Sequence, residues 1–170
     1  MKVFLDTNII SRVVDGGWKK RSSDKEIVST ILSNPKVTKM VSKKIEQEIL
    51  ATSNETKKES LLAELHKLDF VSARSSLSYS GDFSRWNHTQ DSVLTKLREI
   101  FKNESPRAEP TNDADHIYEA FLAQCEAFLT LDGNIIDVYE NRKSEVKMLI
   151  GEMKILKPED APTQYPTWFG

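Results

Sequence analysis

Two apolar runs in this chain end in an aspartate. Val3-Phe4-Leu5 leads into Asp6, and Ala127-Phe128-Leu129-Thr130 leads through Leu131 into Asp132. Each run reads as a short buried strand. Ligands of an open parallel sheet bind in the crevice outside the carboxyl ends of its strands, where both aspartates would stand. Asp113 and Glu48 each fall near the start of a helical pattern that could dock at the same edge. Carboxylates gathered in one crevice repel one another unless cations neutralise them. Donors that are all oxygen select Mg2+ or Mn2+ over zinc, and Mg2+ takes one or two protein carboxylates with water and phosphate oxygens. Such a site supports in-line phosphodiester hydrolysis, the metal lowering the pKa of the attacking water and stabilising the leaving oxygen. No serine–histidine or cysteine–histidine constellation competes. His66, His88 and His116 lack metal-ligand spacing, and no glycine loop of the phosphate-binding types is present.

The elements that would position these acids alternate along the chain. After the first strand, Ile9, Ile10, Val13 and Val14 give a helical stripe closed by Gly16-Gly17. Ser23 and Glu26 form a capping-box pattern opening a helix through Ile27, Ile31 and Leu32. Val37 to Val41 reads as a second strand, and Ser42 can cap the helix carrying Ile45, Glu48 and Ile49. A second capping-box pattern, Thr52 with Glu55, introduces a helix through Leu61, Leu65 and Leu68, with Phe70-Val71 as a short strand beyond it. Val93, Leu94, Leu97, Ile100 and Phe101 make an amphipathic helix, and another starts near Asp113 with Ile117, Ala120, Phe121 and Cys125 inward. Ile135 to Ile150 reads as mostly helical and Met153 to Leu156 as the last strand. Strands alternating with helices predict an α/β fold, a mainly parallel sheet flanked by helices.

With 170 residues, 29% charged and 38% hydrophobic, the chain has the size and make-up of one ordered domain. The net charge of −2 does not by itself imply a polyanionic partner, but the distribution is uneven. Residues 19–44 carry eight basic side chains against Asp24 and Glu26, and residues 104–119 carry five acids against Arg107. A basic stretch beside an acidic one suits a protein that holds phosphates near a cation, although solvated helix faces give the same pattern. The lone Cys125 excludes an intramolecular disulfide and a cysteine-rich zinc site, and reads as a core residue. The three apolar residues before Asp6 are too few for a signal peptide, and no run reaches a membrane span. A cytoplasmic location is expected.

The same residues carry a resemblance to a known family. Val3-Phe4-Leu5-Asp6-Thr7-Asn8 resembles the opening of PIN domains, an apolar strand followed by Asp-Thr-Asn. Asp113, His116 and Ala120, followed by Phe128-Leu129-Thr130-Leu131-Asp132, are similar to their third and fourth motifs, and Ser42 to Leu50 resembles the helix that brings in the second acid. The resemblance spans roughly residues 1–70 and 111–158. It implies a PIN-like three-layer fold and Mg2+- or Mn2+-dependent endoribonuclease activity on RNA. Toxin-type relatives add a small inhibitory partner protein, and a homodimer is a further expectation. Carried over by position, Asp6, Asp113 and Asp132 would ligate or orient metal, with Glu48 as the remaining acid and Glu46 the weaker candidate. Asn8 would orient a carboxylate or cap the first helix, and Thr130 would fix Asp132 or a metal-bound water. Asp115 reads as a solvated first-turn acid and His116 as a packing or hydrogen-bonding residue.

The predicted domain covers 1–158, with 159–170 a tail lacking periodicity. Residues 72–111 are an insertion relative to compact family members, long enough to be a lid, a dimer arm or a docking surface. Within it Trp86 would stack a base or anchor the segment. Two alternatives stand beside the nuclease: a PIN-like module that binds RNA or protein without cleaving, and a haloacid-dehalogenase-like phosphatase. The phosphatase chemistry wants an aspartate where this chain has Asn8.

Overall fold

The structure, a computed structural model, describes residues 1–15, 22–51, 53–71, 83–104 and 111–169. Within these, the side chains at 15, 22, 43, 44, 47, 48, 69–71, 83–91 and 111 are not described. Glu48 and Trp86 therefore lie outside the described side chains.

Five strands form one sheet: β1 (Lys2–Leu5), β2 (Thr38–Ser42), β3 (Asp69–Val71), β4 (Ala127–Leu129) and β5 (Lys154–Leu156). Their order is β3-β2-β1-β4-β5 and every pairing is parallel. The central strands β1 and β4 are the two apolar runs of the sequence. Val3, Phe4 and Leu5 register with Ala127, Phe128 and Leu129, and all six are fully buried. Continuous rather than alternating hydrophobicity is what a strand covered on both faces requires. Phe4 and Phe128 stack at 5.2 Å between ring centroids.

Helices α1 (Thr7–Asp15) and α2 (Ser22–Ser33) connect β1 to β2, and α3 (Lys43–Leu50) and α4 (Glu55–Leu65) connect β2 to β3. The chain then turns back through α5 (Phe83–Glu104) and α6 (Thr111–Leu122) to β4, and through α7 (Gly133–Asn141) and α8 (Lys143–Ile150) to β5. Parallel crossovers are right-handed, so reversing direction across the sheet moves the connecting helices to the opposite face. The packing agrees: α1 and α3 meet α4, whereas α5 meets α6, α7 and α8. The α/β architecture with a parallel sheet flanked by helices follows the sequence reading.

Several local expectations change. The helix after residue 52 is capped by Asn54, whose side chain accepts from the Lys57 backbone N–H at 3.0 Å. Asn is among the strongest N-caps, and with it in place Glu55 becomes the first helical residue rather than the far side of a capping box. The stretch Ile135–Ile150 is two helices, broken at Arg142 (φ −117°, ψ 28°), whose guanidinium binds Glu145 and reaches Glu104 on α5. The amphipathic helix of the inserted segment is longer than its apolar stripe, and Leu97, Ile100 and Phe101 bury it in the core. Residues 72–82 and 105–110 lie outside the described residues. The aperiodic stretch after Lys157 is seated on the domain: α9 (Ala161–Gln164) is flanked by 3-10 turns at Pro158–Asp160 and Pro166–Trp168. Trp168 is fully buried and stacks on Tyr165 at 4.2 Å, and its carbonyl accepts from Asn34 Nδ2 at 2.8 Å. Single aromatics set into tight turns bury area without helical or strand periodicity. Among the described residues, no helix is long and apolar enough to cross a membrane.

Candidate functional site

The strand order reverses direction between β1 and β4, and a switch point of that kind opens a crevice at the carboxyl ends of the two strands. Asp6 is the first residue beyond β1. Its backbone N–H still donates to the Leu129 carbonyl, at 3.0 Å, and its own carbonyl accepts from Ile9 as α1 begins. A strand running directly into a helix thus leaves the Asp6 side chain at the mouth of the crevice, 6% exposed.

The Asp6 carboxylate is wired to both strands. Oδ1 accepts from the Thr7 backbone N–H at 2.7 Å, and Oδ2 accepts from Asn8 Nδ2 at 2.7 Å and from the Thr130 hydroxyl at 2.6 Å. Asn8 Nδ2 also donates to Thr130 Oγ1 at 3.0 Å, while Asn8 Oδ1 accepts from the Leu131 backbone N–H at 2.9 Å. Thr130 Oγ1 accepts once more, from the Asp132 backbone N–H at 2.9 Å. This uses the one donor and two acceptor positions of the hydroxyl, and the Asn8 amide is shared between two acceptors that stand 2.6 Å apart. Three of the roughly four acceptor positions of the Asp6 carboxylate are filled, leaving about one. Asn8 is therefore a cross-link between the β1 and β4 ends and an orienter of Asp6, rather than a helix cap.

Asp132 starts α7 as its N-cap, with Oδ1 accepting from the Asn134 backbone N–H at 2.9 Å. One of its oxygens is thus committed to the helix. Asp113 lies in the first turn of α6, half-buried, with one carboxylate oxygen shielded from solvent. His116, three residues on and so near the same face of the helix, is 4% exposed. Its Nδ1 stands 3.8 Å from Asp6 Oδ1, and its ring lies 6.5 Å from that of Phe4. Through His116 the start of α6 is brought to the Asp6 side of the crevice. Helix α3, which carries Glu48, begins directly after β2 at the same edge of the sheet and buries Ile45 and Ile49. Glu46 stands 3.7 Å from His66 Nε2 at the end of α4.

Two residues were misjudged or missed in the sequence. Asp115 is not solvated. It is 7% exposed and accepts from Arg98 Nε on α5 at 2.7 Å. That hydrogen bond is the main cause holding the Arg98 guanidinium pKa above its ordinary value. The pairing depends on α5 docking against α6, and no local pattern near Asp115 encodes it. Arg98, next to the buried Leu97, carried no local signal either.

The side chains of Asp6, Asp113 and Asp132 offer only oxygen donors, the kind that suits Mg2+ or Mn2+ rather than zinc. Among the described residues, no three His, Cys, Asp or Glu side chains are grouped closely enough to hold an ion together. Mg2+ does not require such a group, since it keeps several waters and uses one or two carboxylates.

Compared with known proteins, the chain matches no protein-family model and no curated sequence.

Proposed function

We propose that this protein is a PIN-like, Mg2+- or Mn2+-dependent endoribonuclease that hydrolyses RNA phosphodiester bonds at the β1/β4 crevice. The observation that carries the reading is the hydrogen-bond wiring that fixes Asp6 across the sheet's switch point and leaves about one acceptor position of its carboxylate open. Asp6 and Asp113 would hold the cation with Asp132, and Glu48 is the proposed fourth acid. Bound there, the metal supplies an activated water and charge stabilisation at the leaving oxygen. The chain's part is positional. Asn8 and Thr130 hold Asp6 in one rotamer, so little reorganisation is needed when a phosphate arrives. His116, buried against Phe4, fills the space beside Asp6 and sets how closely α6 approaches β1.

The proposal is tested by incubating a labelled single-stranded RNA with the protein and Mn2+, then analysing the new ends. Attack by water gives products without a 2′,3′-cyclic phosphate, and EDTA stops the reaction. Cyclic phosphate ends, or cleavage indifferent to EDTA, would overturn it. A PIN-like module that binds RNA without cleaving is the second reading. The commitment of one Asp132 oxygen to the α7 cap favours it, and RNA binding without any product would support it. A small inhibitory partner protein remains part of the proposal through the family resemblance.

A further inference from the structure

The outer edge of the sheet carries cations that the proposed cleavage does not use. Among the described residues, β5 pairs only with β4. Beside it a cavity of about 400 Å3 is lined by Lys143 and Lys147 of α8, Lys154 of β5 and Tyr139 of α7, together with the acids Glu140 and Asp160. Lys143 and Lys147 are four residues apart and share a helix face, a like-charge spacing that works against the helix. Glu140 offsets one of them, since Lys143 Nζ donates to both its oxygens at 2.8 Å. Lys154 Nζ donates to Gln164 at 2.7 Å, a neutral partner, and lies over the Tyr165 ring. The Lys147 ammonium has no hydrogen bond or ion pair among the described residues. Three ammonium groups against two carboxylates leave the cavity with one formal positive charge, and neither Lys147 nor Lys154 has a carboxylate partner among the described residues.

Lysines on an edge strand are a common device against unwanted strand pairing, and that accounts for Lys154. It does not account for Lys143 and Lys147, which come from a helix. The cavity also lies close to the acid edge. Leu156, another of its lining residues, accepts from the Thr130 backbone N–H at 3.0 Å, and the Thr130 hydroxyl binds Asp6. The cavity thus reaches the carboxyl end of β5, which adjoins β4 at the edge where Thr130 binds Asp6.

We propose that this cavity is a phosphate subsite for single-stranded RNA, with Lys147 facing a backbone phosphate a few nucleotides from the scissile one. The inference rests on the ribonuclease reading and extends it to the path of the substrate.

The test is fluorescence anisotropy of a labelled single-stranded RNA in EDTA, titrated with the protein from 50 to 300 mM KCl. Each phosphate neutralised on a single strand contributes about 0.7 to the slope of log K against log salt. Lys147→Gln should therefore flatten that slope by about 0.7 and weaken binding roughly fivefold at 0.1 M salt. Glu140→Gln should act in the opposite direction, since it removes a negative charge and releases Lys143. Equal affinity and slope for wild type and Lys147→Gln would overturn the subsite while leaving Mn2+-dependent cleavage to stand. Lys147-dependent binding in EDTA, with no product from the same RNA once Mn2+ is supplied, would support the subsite and remove the nuclease. Absence of RNA binding by the wild type in EDTA would overturn the subsite, which needs no metal, and leave the nuclease to the Mn2+ cleavage assay.

Discussion

Replacing Asp6 by Asn separates two forces that act on this residue in opposite directions. From the sequence alone, removing one charge from an acidic cluster relieves repulsion, and the fold should be unchanged or slightly more stable. The hydrogen bonds reverse that expectation. Both Asp6 oxygens accept, Oδ1 from Thr7 N–H and Oδ2 from Asn8 and Thr130. An asparagine offers one oxygen and one NH2. Turned toward Asn8 and Thr130, the NH2 meets another amide donor and a hydroxyl whose acceptor positions are already taken. Turned toward Thr7, it meets the part-buried backbone N–H and loses that one hydrogen bond, the lesser loss. An orphaned buried donor costs about 1–3 kcal/mol, and the two remaining bonds lose their charge assistance. Allowing for relieved repulsion, the net loss should be about 2 kcal/mol, a fall in Tm of about 4–8 °C for a domain of this size. The assay is thermal unfolding in EDTA at pH 7, wild type against Asp6→Asn. An unchanged or raised Tm would mean that repulsion outweighs the wiring and that the cross-link is not a stabilising feature.

Further expectations follow from other parts of the molecule. Mn2+ at a hundredfold excess over its Kd should stabilise the wild type by about 2.7 kcal/mol, read as a rise in Tm that Asp6→Asn largely lacks; equal rises in both would rule out a specific ion site. Trp168→Ala should cost about 3–5 kcal/mol in urea unfolding, because a fully buried indole stacked on Tyr165 is removed, whereas an unanchored tail would lose almost nothing. Burial pushes the Cys125 thiol from 9.0 up to about 12 and the Tyr165 phenol from 10.0 up to about 12. Both acids therefore ionise more readily in the unfolded chain, so their contribution is intact below about pH 9 and is lost as the pH rises toward 12. Native Cys125 should accordingly resist alkylation at pH 8 that proceeds quickly in urea; rapid labelling of the folded protein would contradict its placement in the core.

What was legible in the sequence was whatever the chain encodes locally and repeats. The runs at Val3–Leu5 and Ala127–Leu129 are uniformly apolar because both faces of a central parallel strand are covered, and their ends fixed the positions of Asp6 and Asp132. Asn8 was legible only as a polar residue with two competing roles, since its partners Thr130 and Leu131 lie more than 120 residues away. The burial of Asp115 was hidden because its cation comes from the inserted helix, whose docking depends on shape rather than on periodicity. The seating of Trp168 was hidden for a similar reason. One aromatic in a 3-10 turn leaves no pattern, and its receptor at Asn34 is distant in the chain. The Asn54 cap is local, but the Thr52–Glu55 spacing matches a capping box and competes with it in the sequence.

The central claim, that these acids run metal-dependent RNA hydrolysis, is tested most directly by one comparison. Cleavage of a labelled single-stranded RNA in Mn2+ is followed for wild type and for Asp113→Asn, whose carboxylate lies in the first turn of α6. The account predicts wild-type cleavage that EDTA abolishes and a loss of at least about a hundredfold in the variant, on the scale of removing a group that stabilises transition-state charge. Cleavage by Asp113→Asn at the wild-type rate, or a wild type that leaves the RNA intact in both Mn2+ and Mg2+, would contradict it.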